Sequence, residues 1–323
     1  MKIIDIDLLI EKGVDKMKKD IEFKSEGVTI RGEFHIPEKG KKPFPVLVMA
    51  GGWCYVKEIV MPHYAKFFLD EGVACLLIDY RYFGASDGEP RQHLDPWKQI
   101  EDYKNGVSFV QTLPEVDPAR VGVWGISYSG GHALIVGATD PRVKCIVSMI
   151  PVIDGHEMIK RAHGTLGFRK ITKALLEDRK KRFENPSNRG YIPMSAVDPE
   201  KTLCSLPWPE VFEVFSQIQK TEAPRHEHRN TIESVELCMS YTVLPYLNRI
   251  LDTPTLMIVA EGDDLTQWDQ EINAFSKIAS QIKKLYIVPK TTHMTLYSDR
   301  ARLEMAGKVA GDWVAEHFVR PYK

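Results

Sequence analysis

The sequence predicts an α/β chain, a mostly parallel, doubly wound sheet with a helical cap inserted between its strands. Three observations carry this. Short continuous apolar runs, suited to strands buried on both faces, alternate with helical patterns from residue 44 onward. The alternation stops between about Asp154 and Asn248, where charge and helical periodicity dominate and no convincing strand is visible. Two more strand-like runs then follow. The sheet is incomplete on either side of the interruption alone, so the interruption reads as an insertion rather than a separate domain.

The elements follow in order. The opening MKIIDIDLLIEKGVDKMKKD has Asp5 and Asp7 inside its apolar run. It therefore reads as an amphipathic surface helix or a dimer contact, not a secretory signal. Residues 21–37 alternate as a strand pair with Gly27 at the turn. PVLVMAGG, VACLLIDY, ARVGVWGIS and VKCIVSMIPV read as four buried strands. Helices are expected at about 61–71, 95–112 and 127–138. After the insertion, PTLMIVAEGD (254–263) and LYIVPK (285–290) read as two more buried strands, and 301–318 as a closing helix.

Composition narrows the partners. The 323 residues carry 43 Lys+Arg against 44 Asp+Glu, a formal net charge of −1. No basic excess points to nucleic acid. No run approaches the length of a membrane span. Cys54, Cys75, Cys145, Cys204 and Cys238 are scattered and odd in number. They read as free buried thiols in a reducing, cytoplasmic setting. No metal or organic cofactor is expected.

The strongest local signal is VGVWGISYSGGHAL. Gly125 and Ser127 match the first two fixed positions of G-x-S-x-G, with Ser129 in place of the last glycine. The pattern demands a sharp strand-to-helix turn with a nucleophile at its tip. A serine hydroxyl needs an adjacent base and an orienting acid. On such a turn both follow later in the chain, each after a buried strand. PTLMIVAEGDD ends in Glu261, Asp263 and Asp264, and LYIVPKTTHMT ends in His293. We take Ser127, Asp263 and His293 as the catalytic residues, with Asp264 as the adjacent alternative acid. None of the other nine histidines follows a late strand. One oxyanion donor should be the backbone N–H of Tyr128. The other should come from AGGWCYVKE, where Gly51 and Gly52 allow close backbone approach. Its candidates are the Trp53 N–H and the Tyr55 hydroxyl. In DYRYFGASDGEP, Asp79, Arg81, Gly84 and Ser86 read as loop-fixing residues.

The segments AGGWCYVKE, DYRYFGASDGEP, GISYSGG, AEGDDLT and TTH, in this order, resemble α/β-hydrolases. They look most like the branch of dienelactone-hydrolase-like esterases, acyl thiohydrolases and the cocaine-esterase/X-prolyl-dipeptidyl-peptidase group, over roughly residues 25–152 and 252–318. Tyr128 after the nucleophile and Tyr55-Val56-Lys57, similar to a Y-x-K oxyanion loop, favour the last group; this implies that Tyr55 donates through its hydroxyl. The chain departs from that group in lacking its large C-terminal β-sandwich. It also departs in Gly51, where many relatives carry histidine. Dienelactone hydrolases proper use a cysteine where this chain has Ser127. On this reading 1–153 and 251–323 are two parts of one hydrolase core, the first with an N-terminal helix, and 154–250 is a helical cap.

The expected activity is hydrolysis of carboxylic or thio esters of a small molecule through an acyl-enzyme. The alternative is an acyltransferase or thiohydrolase acting on a polyketide-like acyl group. A peptidase is the weaker reading, because no acidic pair is clearly placed for a substrate amino terminus, though Glu157 or Asp178 can be argued. A binding protein with little turnover is opposed by the complete triad. Trp53, Tyr55, Phe168, Trp208 and Tyr241 are expected to line a mostly apolar, fairly large pocket. Phe212, Phe215, Tyr246, Met158, Met194 and Met239 are further cap residues available to it.

Overall fold

A computed structural model describes residues 18–320. The expected N-terminal helix or dimer contact falls almost wholly in residues 1–17, outside the described residues. β1 (Lys18–Ser25) and β2 (Val28–His35) form an antiparallel hairpin. Its turn residues Glu26 and Gly27 have φ of 48° and 85°, the left-handed pair that matches strand twist.

β3 (Phe44–Ala50), α1 (Met61–Asp70), β4 (Ala74–Ile78), α2 (Pro96–Val110), β5 (Val116–Ile126), α3 (Tyr128–Thr139) and β6 (Val143–Met149) follow. Proline opens α2 at a position that needs no backbone donor, and Asp95 caps it by accepting from the N–H groups of Trp97 and Lys98.

Between β6 and the next sheet strand lie α4 (Gly155–Glu184), β7 (Tyr191–Pro193), α5 (Pro209–Thr221), β8 (Arg229–Thr231) and α6 (Ile232–Met239). α4 kinks at Gly164, whose φ is 59°. The insertion thus holds a short antiparallel strand pair, β7 with β8, that sequence reading missed. Three residues per strand, one of them Pro193, leave too little alternation to detect. The ends of the insertion are tied together: Gly155 N–H donates to the Tyr241 carbonyl, and Val243 N–H to that of Ile153.

β9 (Thr255–Ala260), α7 (Trp268–Lys277), β10 (Lys283–Val288), α8 (Thr295–Ser298) and α9 (Arg300–Val314) complete the described chain. The eight-stranded sheet has the order β1-β2-β4-β3-β5-β6-β9-β10. From β4 to β10 every neighbouring pair is parallel. β3, β4 and β9 are buried along their whole length. β10 is not the buried strand expected: among the described strands it lies at the sheet edge, paired with β9 alone, and Ile287 is exposed.

Candidate active site

β5 passes into α3 through Ser127, whose φ of 58° is unusual for a side chain with a Cβ. The strain is held by tight packing. A Cβ on Gly125 would lie 1.9 Å from the Ser129 carbonyl oxygen, so only glycine lets the chain fold back here. A Cβ on Gly52 would come within 2.8 Å of Ser127 Cβ and 3.2 Å of its Oγ. The loop after β3 therefore rests directly on Ser127.

Ser129, the departure from the G-x-S-x-G pattern, has a use. Its hydroxyl donates to the Gly51 carbonyl and lies 2.7 Å from the Tyr80 hydroxyl. It ties the β5–α3 turn to the β3 and β4 loops.

The loops after β9 and β10 bring two side chains to Ser127. His293 Nε2 lies 3.2 Å from Ser127 Oγ, and His293 Nδ1 lies 2.8 Å from Asp263 Oδ2. All three side chains are buried. Asp263 Oδ1 accepts from the N–H groups of Leu265 and Thr266, which fixes the carboxylate. Asp264, the adjacent alternative, is exposed and accepts from Trp208 Nε1. Glu261 is also exposed and accepts from Lys290 N–H. Neither reaches the histidine.

Tyr128 N–H opens α3, and neither it nor Trp53 N–H has an acceptor among the described residues. The Tyr55 hydroxyl is buried and also unpartnered. These are the three donors proposed for an oxyanion, and all three residues line the cavity beside Ser127. Trp53 is anchored from the insertion. Its indole N–H donates to Asn230 Oδ1 at 3.1 Å, and the same oxygen accepts from Ser205 Oγ at 2.8 Å.

The cavity is narrow. Its free volume is about 20 Å³, room for little more than one water molecule. Met158, Leu206, Val211 and Phe215 line it from the insertion, and Val152, Leu265, Met294 and Tyr297 from loops around the sheet. Among the described residues, no acidic side chain lines it.

This differs from the pocket expected. Trp53 and Tyr55 line the cavity; Phe168, Trp208 and Tyr241 do not. Phe168 packs edge-on against His156, and the Tyr241 hydroxyl is engaged by His132 Nδ1. Of the further cap residues named, Met158 and Phe215 reach the cavity. Glu157 is half-exposed beside Lys160, and Asp178 is taken up by Arg182 and the Gly190 N–H, so neither acid faces it. The fairly large pocket is instead nearly filled, because the rings of Tyr55, Phe215 and Tyr297 pack against one another.

Tyr297 was missed, although it lies one helical turn beyond His293 and stacks on its ring at 5.7 Å. Asp79, Arg81, Gly84 and Ser86 do fix their loop. Asp79 accepts from the Lys57 and Ala85 N–H groups, and Arg81 forks onto Asp102. All five cysteines are free and buried. Among the described residues, no cluster of His, Cys, Asp or Glu could hold a metal ion, and no helix is long and apolar enough to cross a membrane.

The model of the X-Pro dipeptidyl-peptidase (S15) family matches residues 26–295, most of the chain. The chain belongs to the S15 family. Relatives of this S15 chain carry other activities in their names. It is 29% identical over 293 residues to thiohydrolase aneE of Aspergillus aculeatus, covering 86% of this chain and 87% of that protein. It is 27% identical over 281 residues to polyketide transferase grgF of a Penicillium species, covering 86% and 90%. The crystal structure of the α/β-hydrolase GrgF from Penicillium superposes with a TM-score of 0.77 at 25% identity, covering 93% of this chain and 99% of that one. A hypothetical protein from Pseudomonas aeruginosa gives 0.78 at 26% identity, covering 93% of both. This S15 chain is thus an enzyme of the α/β-hydrolase superfamily.

Proposed function

We propose that this enzyme cleaves carboxylic or thio esters through an acyl-enzyme on Ser127. The observation that carries the reading is the hydrogen-bonded chain Asp263–His293–Ser127 at the tip of β5. His293 Nε2 takes the Ser127 proton as Oγ bonds to the acyl carbon. Asp263 orients the ring and stabilises the imidazolium. The Tyr128 and Trp53 N–H groups, with the Tyr55 hydroxyl, hold the oxyanion; each such donor is worth about 10²–10³ in rate. The imidazolium then protonates the leaving alcohol or thiol. Water, deprotonated by His293, releases the acid and restores Ser127.

Residues 154–250 act as a cap over this site. The apolar lining suits an acyl group of a small-molecule substrate, and the absence of a carboxylate from it disfavours a peptide amino terminus. Five buried free thiols fit a reducing, cytoplasmic setting. The thiohydrolase and polyketide transferase among the relatives favour a second reading, in which a bound alcohol or thiol replaces water as acyl acceptor.

A fluorophosphonate probe tests the nucleophile. The intact protein should label covalently and Ser127→Ala should not; equal labelling of both would remove Ser127 from the reaction. p-Nitrophenyl esters of rising chain length, assayed with and without added alcohol, then separate hydrolysis from transfer.

A further inference from the structure

One ionisable group beside the triad has no part in the mechanism above. Glu271, in the first turn of α7, is fully buried. Its Oε1 accepts from Thr266 Oγ1 at 3.1 Å, and its Oε2 has no partner. The charged groups bearing on it are Asp263 and Asp269, both acids. Burial, and then the Asp263 charge, raise its carboxyl well above the ordinary range. A buried carboxyl with one hydrogen bond is a poor stabilising device. Its one partner is therefore informative.

That partner touches the general base. Thr266 Oγ1 lies 3.3 Å from His293 Nδ1, and Thr266 N–H donates to Asp263 Oδ1. The threonine hydroxyl has one proton, and it goes to Glu271. What it presents to His293 is then a lone pair. Asp263 Oδ2 also presents a lone pair to the same nitrogen, at 2.8 Å. Two acceptors on Nδ1 require that nitrogen to carry the proton. Nε2 is left bare and facing Ser127 Oγ, the tautomer a general base needs.

We infer that Glu271 is a positioning residue for His293: it holds the Thr266 hydroxyl in the orientation that accepts from Nδ1–H. The inference rests on the reading of Ser127, His293 and Asp263 as a working triad. Without an acceptor at position 271, the Thr266 proton is free to rotate toward Nδ1 and compete with the imidazole N–H for the same space.

The test is a double-mutant cycle on the full chain, read as kcat and KM on p-nitrophenyl acetate and as the rate of fluorophosphonate labelling. Glu271→Leu and Thr266→Val should each lower kcat and the labelling rate roughly tenfold, a part of the 10²–10⁴ that a positioned base contributes. KM should stay unchanged. Glu271→Gln, whose amide oxygen can accept from Thr266 as the Glu271 Oε1 does, should remain near wild type. The double variant Glu271→Leu/Thr266→Val should be no slower than Thr266→Val alone, because the effect of Glu271 passes through Thr266.

Multiplied losses in the double variant would overturn the inference, as would undiminished kcat in Thr266→Val. If Glu271→Leu does not fold, Thr266→Val and Glu271→Gln decide: a slow glutamine variant beside a fast valine variant sinks it. Failure of the triad reading looks different, because wild-type protein would then not label, or Ser127→Ala would label equally.

Discussion

His293 is one of ten histidines, and what separates it from the rest is the environment of each ring. His132, five residues beyond Ser127, is buried between Tyr241 and Gln99, and burial lowers its pKa to about 3. His226 is also lowered to about 3, by burial and then by His228. Both are neutral core groups. Because each folded pKa lies below the unfolded value of about 6.5, the unfolded chain binds the extra protons between those limits. Stability is therefore complete above pH 6.5 and is lost as pH falls toward 3, at about 1.4 kcal/mol per pH unit for each histidine. Urea unfolding at pH 7, 6 and 5 should show this decline, and His226→Gln should flatten it by about one proton's worth. Parallel pH dependences in the two proteins would contradict the assignment.

The β5–α3 turn shows how one element draws on residues distant in sequence. Ser129 replaces a motif glycine, yet its hydroxyl bridges the Gly51 carbonyl and Tyr80. Ser129→Ala leaves two buried groups without that partner, at about 1–3 kcal/mol each. It should lower the urea midpoint, and it should lower kcat as well if the turn holds Ser127 in place. Unchanged stability would mean that the bridge is replaced by other contacts.

β3, β4 and β9 were legible because their apolar runs are continuous and run into Gly51, Asp79 and the Glu261-Gly262 turn. α7 went unread although Trp268, Ile272 and Phe275 recur at helical spacing; its fully buried positions are Glu271 and Ala274, and a buried acid leaves no apolar signal. Thr266 and Glu271 were invisible for the same reason. Ser127, Asp263 and His293 could be read from chain order, whereas the cavity lining needed the insertion's path. Val211 and Phe215 lie on one face of α5, but nothing local says that this face looks toward Ser127.

At the scale of the whole molecule, one of the links between the insertion and the loop after β3 is a buried amide. Asn230 Oδ1 receives the Trp53 indole N–H, the Ser205 hydroxyl and the Cys54 thiol, while its Nδ2 donates to the Thr231 carbonyl. His226 adds a second link, its Nδ1 pairing with the Cys54 carbonyl. The loop that carries the Trp53 N–H is thus fastened to residues 205–230, the segment that also supplies Leu206, Val211 and Phe215 to the cavity. The cavity is narrow, at about 20 Å³, and these side chains form much of its wall. The cavity lining and the Trp53 loop are thus joined through Asn230. Asn230→Leu should cost about 1–3 kcal/mol for each donor left unpaired, and should lower kcat because Trp53 is released. Ser205→Ala removes one donor but leaves the Trp53 bond, so it should change stability alone. Comparing urea midpoints with kcat in the two variants checks the coupling: equal kcat in both would show that the amide holds the fold together without governing the site.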